Sequence, residues 1–244
     1  MRGVRHFALH RLVFGDSVQA AGGRLYADLH ADITTGRLRP GASLSETKVA
    51  QQYGISRTPV REVFRRLADE GFLRVVPQVA TYVAPIDLAA VTDSQFIRET
   101  LECRAVALSA EKASERDIRA LRHEIRTQEQ AIAAGNRMRF FASDEAMHRI
   151  LMTIAGYPAV WDLIGSAKAQ LDRVRHLSLE QDDWLQMIFR QHHSIIDRVI
   201  AHDVAGAEAA MREHLRTVFA AVERIAAAHA EFFDGPRQKR ARRT

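Results

Sequence analysis

The sequence predicts a mostly α-helical protein with two domains, on the basis of three observations. Apolar residues recur at helical spacing through most of the 244 residues, and strand-like patterns occur only at 72–76 and 81–83. Basic residues are concentrated at 1–66 and 235–244, whereas the part between them is acidic overall. Turn residues separate a small N-terminal unit, 24–86, from a run of helices at 87–233.

The composition excludes a membrane-spanning or disulfide-stabilised protein. No segment approaches the roughly 18 unbroken apolar residues of a transmembrane helix. Cys103 is the single cysteine, so no disulfide can form within the chain. At the N-terminus, Arg2 and Arg5 precede a short apolar patch that His10 and Arg11 interrupt, which does not resemble a signal peptide. We therefore expect a soluble, cytoplasmic protein without a membrane partner.

The two ends of the chain are predicted to lie outside the folded domains. Residues 1–23 lack a clean periodicity, so a flexible N-terminal arm is expected there. Residues 234–244 contain five basic side chains and no acidic one beyond Asp234, which predicts a disordered basic tail. Between them, the first regular helix is predicted from Arg24 to Thr35, where Leu25, Leu29 and Ile33 recur at helical spacing.

A helix-turn-helix is predicted at residues 43–67. Its first helix, Ser43 to Tyr53, opens with Ser43 and Glu46 in capping-box spacing and ends at Gly54, which suits a tight turn. Ser56 is a favourable N-cap for the second helix, and Pro59 is tolerated in its first turn. The strands at 72–76 and 81–83 add a hairpin, so residues 24–86 are predicted to form a winged helix-turn-helix.

The second helix of this motif has an apolar face and a polar face. The apolar face is formed by Val60, Val63, Phe64 and Leu67. The polar face carries Arg57, Thr58, Arg61 and Arg65. Arginine can bridge phosphates or read guanine edges, and Ser or Thr hydroxyls can bind phosphate oxygens. The pattern therefore favours a helix that reads double-stranded DNA, the alternative being an ordinary basic surface helix.

Beyond the linker at 85–87, the chain is predicted to form an all-α bundle. Helices are predicted at 88–112, 114–134, 137–155, 158–178, 183–201 and 204–232. Helical spacing directs four polar side chains into the interior: Asp144, His148, His192 and His214. His193 is rotated away from this interior, and His10, His123, His176 and His229 are expected at the surface.

Polar groups in an apolar interior need partners, and a shared divalent metal would satisfy all four. Three imidazoles and a carboxylate suit Zn²⁺ or Ni²⁺. From spacing alone an alternative stays open, in which each histidine is satisfied separately by a core hydrogen bond or by water.

These residues resemble the GntR family of bacterial transcription regulators, in its FadR-like branch with an FCD ligand-binding domain. The match covers about residues 24–230. Its most specific motifs are Gly36-Arg37-Leu38-Arg39-Pro40-Gly41, Leu44-Ser45-Glu46, Ile55-Ser56-Arg57-Thr58-Pro59-Val60-Arg61-Glu62 and Leu67 through Phe72. The resemblance implies a homodimer on a palindromic operator, with Ser56, Arg57, Thr58 and Arg61 in contact with DNA.

The resemblance also implies a metal site and an effector. Asp144 with His148, His192 before His193-Ser194-Ile195, and His214 in Met211-Arg212-Glu213-His214-Leu215 match the metal ligands of many FCD domains. The implied effector is a small organic acid, for which Arg98 is a candidate partner; a salt-bridged or solvated Arg98 is the alternative. Departures are Val79-Ala80 in place of the usual Arg-Gly of the wing, Gln191 in place of Glu, His202 in place of Gly, and Tyr157 in place of Asn.

Two other functions compete with an acid-responsive regulator. A metal-dependent enzyme would use the Asp/His₃ site to activate water, but no general base is evident beside these residues. A constitutive DNA-binding regulator would use the bundle only for dimerisation and would bind no metal. The sequence favours the acid-responsive regulator, with no catalytic residue.

Overall fold

The computed structural model describes the backbone of residues 5–233 and the side chains from Ala20 onward. The predicted basic tail at 234–244 and residues 1–4 of the predicted arm lie outside this range. The chain divides into two compact units, the first ending at Ile86 and the second beginning at Asp87. Among the described residues, no helix is both long and apolar enough to cross a membrane.

The first unit contains three helices and a small antiparallel sheet. In chain order these are α1 (Arg5–Thr34), β1 (Ser43–Leu44), α2 (Glu46–Tyr53), α3 (Arg57–Asp69), β2 (Leu73–Val76) and β3 (Ala80–Val83). The strand order is β1-β3-β2, with Ser43 opposite Tyr82 and Leu73 opposite Val83. A helix-turn-helix followed by a β2–β3 hairpin confirms the predicted winged helix-turn-helix.

Two local predictions in this unit are wrong. Helix α1 begins at Arg5, well before the predicted start at Arg24, so residues 5–23 of the predicted arm are helical. Ser43 does not cap α2, because Ser43 and Leu44 pair with β3. The N-cap is Ser45, whose hydroxyl accepts a hydrogen bond from the Lys48 N–H. Strand pairing therefore displaces the start of α2 by two residues.

Helix α3 packs as its periodicity predicts. Val60, Val63, Phe64 and Leu67 are buried, and Leu25 and Ile33 of α1 are buried in the same unit. Tyr26 of α1 donates a hydrogen bond to Glu70 at 2.7 Å, just beyond the end of α3. These contacts fix α3 on its support, with its polar face left outward.

The second unit is an all-α bundle, as predicted. Its helices are α4 (Leu88–Lys112), α5 (Glu115–Ala133), α6 (Arg137–Ala155), α7 (Val160–Ala167), α8 (Ala169–Ser178), α9 (Asp182–Ile200) and α10 (Val204–Ala228), followed by a 3₁₀ turn at Ala230–Phe232. The prediction of a single helix at 158–178 is wrong, because the chain breaks at Lys168 between α7 and α8. Lys168 Nζ lies 2.8 Å from Glu145 Oε2 on α6, a tertiary contact that the local sequence does not reveal.

The core of the bundle is formed mainly by α4, α6, α9 and α10. Val106, Met147, Ile195 and Met211 are completely buried there. Gly135 and Gly156, which end α5 and α6, have φ values of 61° and 97°, so a left-handed backbone closes both helices. The predicted helix ends at these glycines are confirmed.

Candidate metal centre and nucleic-acid interface

The bundle brings together the four polar residues that are predicted to face its interior. Helix α6 supplies Asp144 and His148, α9 supplies His192 and α10 supplies His214. All four are buried, and each offers one ligand atom within 4.8 Å of the others. His192 Nε2 lies 3.1 Å from Asp144 Oδ1, whereas His148 Nε2 is 4.0 Å from the same oxygen. His193 is exposed, as expected from its rotation on α9.

The outer nitrogen of each histidine faces a side-chain oxygen. His192 Nδ1 is 2.8 Å from Gln128 Oε1, and His214 Nδ1 is 3.1 Å from Gln191 Oε1. His148 Nδ1 lies 2.5 Å from Glu102 Oε2. Because these oxygens accept hydrogen bonds, they favour a proton on Nδ1 and leave the Nε2 lone pair directed to the centre.

The charge states of the cluster are set by burial and by nearby cations. Burial lowers the pKa of His192 and, together with the neighbouring histidines, holds the pKa of His214 well below its usual value. Burial opposes ionisation of Asp144, but Arg175 and His192 outweigh it and keep the pKa of Asp144 well below its usual range. The site therefore presents the neutral imidazoles of His192 and His214 beside an anionic carboxylate.

This arrangement fits a divalent metal ion. His148 Nε2 is fully buried and has no hydrogen-bond partner among the described residues. Its lone pair is therefore available to bind a metal ion. Ligand atoms about 2.0–2.2 Å from a metal can be at most about 4.4 Å apart. Separations of up to 4.8 Å therefore require an inward shift of the side chains before all four can bind one ion. Nitrogen donors and one carboxylate match Zn²⁺ or Ni²⁺.

A pocket that is partly open to solvent adjoins the cluster. Its charged lining consists of Asp144, Arg98 and Arg175, and His214 lies beside them. The hydroxyls of Ser178 and Thr217 are further polar groups in the lining. The remaining lining is apolar and consists of Leu179, Trp184, Ile188, Leu215, Val218 and Ala221. Such a cavity suits a small molecule that has an anionic end and a hydrocarbon part.

Arg98 lies in this lining but is also ion-paired. Its Nε is 2.5 Å from Glu102 Oε1, and both side chains are almost completely buried. Burial opposes ionisation of Glu102, but Arg98 and His148 outweigh it and lower the pKa of Glu102 to about 2. Glu102 thus connects the arginine of the cavity to a histidine of the cluster.

Sequence reasoning missed several residues around the site. Glu102 stands four residues after Arg98, which is a detectable i,i+4 pair, but the contact with His148 depends on the fold. Gln128 and Arg175 carry no local signal, although Arg175 donates a hydrogen bond to Asp144 Oδ2. The expectation that His176 lies at the surface is wrong, because it is half-buried and stacks on Phe141 with ring centroids 3.8 Å apart.

The predicted DNA-facing residues lie together on one side of α3. Ser56 precedes the helix, and Arg57, Thr58, Arg61 and Arg65 follow it on the exposed face. Glu46 at the start of α2 contacts two of these arginines through one oxygen, Oε2. The face therefore combines cations and hydroxyls in the manner of a groove-reading helix.

The tip of the β2–β3 hairpin is apolar. Val79 is 70% exposed, and Gln78 has a φ of 62°, a left-handed conformation that favours glycine. Val79 donates a backbone hydrogen bond to Val76 across Pro77 and Gln78, as in a type II turn. Residues 77–80, which form the tip, carry no charged side chain.

Two parts of the chain match known domains. Residues 21–83 match the domain described as bacterial regulatory proteins, gntR family, and residues 93–217 match the FCD domain. Together these matches cover the winged unit and most of the bundle.

Similar proteins are bacterial regulators. An uncharacterized HTH-type transcriptional regulator in an unstable DNA locus of Streptomyces ambofaciens is 38% identical over 217 residues, which are 86% of this chain and 88% of that protein. The HTH-type transcriptional repressor RspR of Escherichia coli is 33% identical over 210 residues, covering 86% of this chain and 92% of RspR. The solved structure of E. coli McbR/YncC has the same fold, with a TM-score of 0.67 at 24% identity, covering 84% of this chain and 97% of that one.

Proposed function

This chain belongs to the GntR family of bacterial DNA-binding transcription regulators and carries an FCD domain, and we propose that a small organic acid controls its operator binding through a metal site. The arrangement that carries the proposal is the buried Asp144/His₃ cluster beside a cavity lined by two arginines. The relative RspR is named a transcriptional repressor. Repression is therefore the proposed direction of control.

At the DNA end, the exposed face of α3 contacts the operator. Arg57, Arg61 and Arg65 supply donors for guanine edges and phosphates, and Ser56 and Thr58 supply hydroxyls for phosphate oxygens. A homodimer presents two copies of α3 related by a two-fold axis. The operator is accordingly a palindrome whose half-sites follow that symmetry.

At the effector end, Asp144, His148, His192 and His214 would hold Zn²⁺ or Ni²⁺. When bound, the ion would supply a positively charged Lewis acid for a carboxylate oxygen. Arg98 donates to the same acid, since its guanidinium has N–H groups beyond the two directed to Glu102. The apolar wall around Trp184 and Ile188 contacts the hydrocarbon part of the acid.

Control of transcription requires that the acid bind two states of the protein unequally. An acid that binds the DNA-free form more tightly weakens operator binding by the ratio of its two affinities. Discrimination of about tenfold corresponds to about 1.4 kcal/mol, which one charge-assisted hydrogen bond can supply. The proposal therefore needs only one contact of Arg98 or the metal to differ between the two states.

The first experiment is elemental analysis of protein purified without an affinity tag. We expect about one equivalent of metal per subunit, lost in a His148→Ala, His214→Ala double variant. His193→Ala is the matched control, because His193 is next to His192 but exposed. Operator binding by the metal-loaded protein is then measured against a panel of small organic acids. Wild-type protein that is metal-free and cannot be loaded with Zn²⁺ or Ni²⁺ would refute the metal site.

One observation favours a second candidate, a constitutive regulator whose bundle is metal-free. Asp144 already accepts a hydrogen bond from Arg175 and contacts His192, so its carboxylate has partners without an ion. This candidate predicts that operator affinity is indifferent both to chelators and to organic acids. Operator binding measured with a chelator and with the panel of organic acids therefore decides between the two functions.

A further inference from the structure

Glu46 joins two arginines of the DNA-facing helix through one carboxylate oxygen. Its Oε2 lies 2.8 Å from Arg57 Nη2 and 2.8 Å from Arg61 Nε. The Glu46 side chain is 28% exposed, whereas those of Arg57 and Arg61 are more than half exposed. The hydrogen bonds from the two arginines outweigh burial and lower the pKa of Glu46, so the carboxylate is charged near neutral pH.

This contact orders side chains that would otherwise be mobile. An arginine side chain loses considerable rotamer entropy when it is fixed in one conformation. For an exposed arginine this loss usually occurs when the partner binds, and it weakens the affinity. Arg57 and Arg61 are also like charges four residues apart on α3, which repel each other without an intervening anion. Each arginine directs one N–H group to Glu46, and its remaining donors are available to a nucleic acid.

Arg65 provides a contrast on the same face. It is exposed, and within the residues whose side chains are described no ion pair joins it to a carboxylate. Its side chain is therefore suited to a phosphate contact, which tolerates several rotamers, whereas base reading needs a defined direction. Arg57 and Arg61 are thus ordered by an ion pair in the DNA-free protein, whereas Arg65 is not.

We propose that Glu46 is a positioning residue that sets Arg57 and Arg61 for reading bases and reduces their attraction to nonspecific DNA. The inference rests on the proposed contacts of these arginines with the operator. Two effects of opposite sign follow. Ordering favours the specific complex, because less entropy is lost on binding. The negative charge disfavours phosphate contacts on any sequence.

The test uses the full chain and two DNA duplexes. One is recovered by in vitro selection from a random pool with the wild-type protein, and the other has the same length and composition in scrambled order. We expect Glu46→Ala to bind the selected duplex about tenfold more weakly, the factor for two long side chains that must be ordered on binding. It binds the scrambled duplex as tightly as wild type or several-fold more tightly, with a steeper salt dependence.

Two further variants separate ordering from charge. Glu46→Gln keeps an oxygen acceptor but loses the charge, so binding to scrambled DNA rises as in Glu46→Ala while binding to selected DNA falls less. Glu62→Gln removes one charge from α3 at an exposed residue that contacts neither arginine, and it raises both affinities together. Far-ultraviolet circular dichroism and the thermal midpoint check that each variant is folded. If Glu46→Ala is unfolded, the comparison of Glu46→Gln with Glu62→Gln decides.

The inference is overturned if Glu46→Ala and Glu62→Gln strengthen binding to both duplexes by the same factor. It is also overturned if Glu46→Ala still weakens binding to the selected duplex in a protein in which Arg57 and Arg61 are both replaced by Ala. The proposed DNA contacts fail separately, if the Arg57→Ala, Arg61→Ala double variant keeps the wild-type preference for selected DNA. A lowered preference in that double variant, with none in the Glu46 variants, removes only the positioning role.

Discussion

Gln128 gives the sharpest test of how the candidate metal centre is held. Its side chain is completely buried, and its Oε1 accepts from His192 Nδ1 at 2.8 Å. Gln128→Leu keeps nearly the same volume but removes this acceptor. The Nδ1–H of His192 then has no partner, and the proton is free to move to Nε2, the atom directed to the ligand cluster.

The expected effects on folding and on metal affinity differ in size. A buried donor without a partner costs about 1–3 kcal/mol. Gln128 Nε2 already has no partner among the described residues, so its removal offsets part of that cost, and we expect a net loss of stability of about 1 kcal/mol. Loss of such an outer partner lowers metal affinity by about 10–100-fold, or about 1.4–2.8 kcal/mol.

Competition with a chromophoric chelator in a non-coordinating buffer measures the affinity for Zn²⁺. Urea unfolding of the metal-free protein measures stability separately. Gln130→Leu is the matched control, because it makes the same substitution on the exposed side of α5. A Gln128→Leu protein that binds Zn²⁺ as tightly as Gln130→Leu would show that the Gln128 contact does not set the direction of His192.

Two further predictions concern stability. Burial against Phe141 lowers the pKa of His176 to about 4 from 6.5, so between these pH values the unfolded chain binds more protons than the folded one. The free energy of unfolding should therefore fall with decreasing pH by up to about 1.4 kcal/mol per pH unit. His176→Phe should flatten this dependence in urea titrations across that interval. An unchanged slope would show that His176 does not cause the dependence. Gln78→Gly should stabilise the winged unit by about 0.5–1 kcal/mol, because glycine adopts a positive φ without the Cβ clash. Gln78→Val should destabilise it, and equal thermal midpoints for the three proteins would contradict the argument.

The inward histidines show which part of a site can be predicted from sequence. Asp144 and His148 are one helical turn apart, and His192 and His214 lie on apolar stripes, so periodicity alone directs all four inward. Their convergence on one point depends on helix packing, which spacing does not specify. From spacing alone the three histidines could share a metal with Asp144 or be hydrogen-bonded separately. The resemblance to FCD domains is what favours one shared metal.

The residues around the cluster could not be predicted for a related reason. Gln128 lies 64 positions from His192, and Arg175 lies 31 positions from Asp144. Neither pair has a local spacing signal, because the contacts are made between helices. The break at Lys168 is similar, since Gly165 and Ser166 before it are themselves helical and Glu145 of another helix contacts the lysine.

The two oxygens of Asp144 face different parts of the site. Oδ1 is directed to the imidazoles, while Oδ2 accepts from Arg175, which lines the cavity. Under the proposed function, an acid that draws Arg175 away from Asp144 would leave the carboxylate less neutralised. The carboxylate would then attract a bound metal ion more strongly. By thermodynamic reciprocity, the metal then alters acid affinity by the same factor. A metal affinity measured in acetate or citrate buffer is consequently a property of the ternary mixture, and metal retention in the cell follows the supply of the acid.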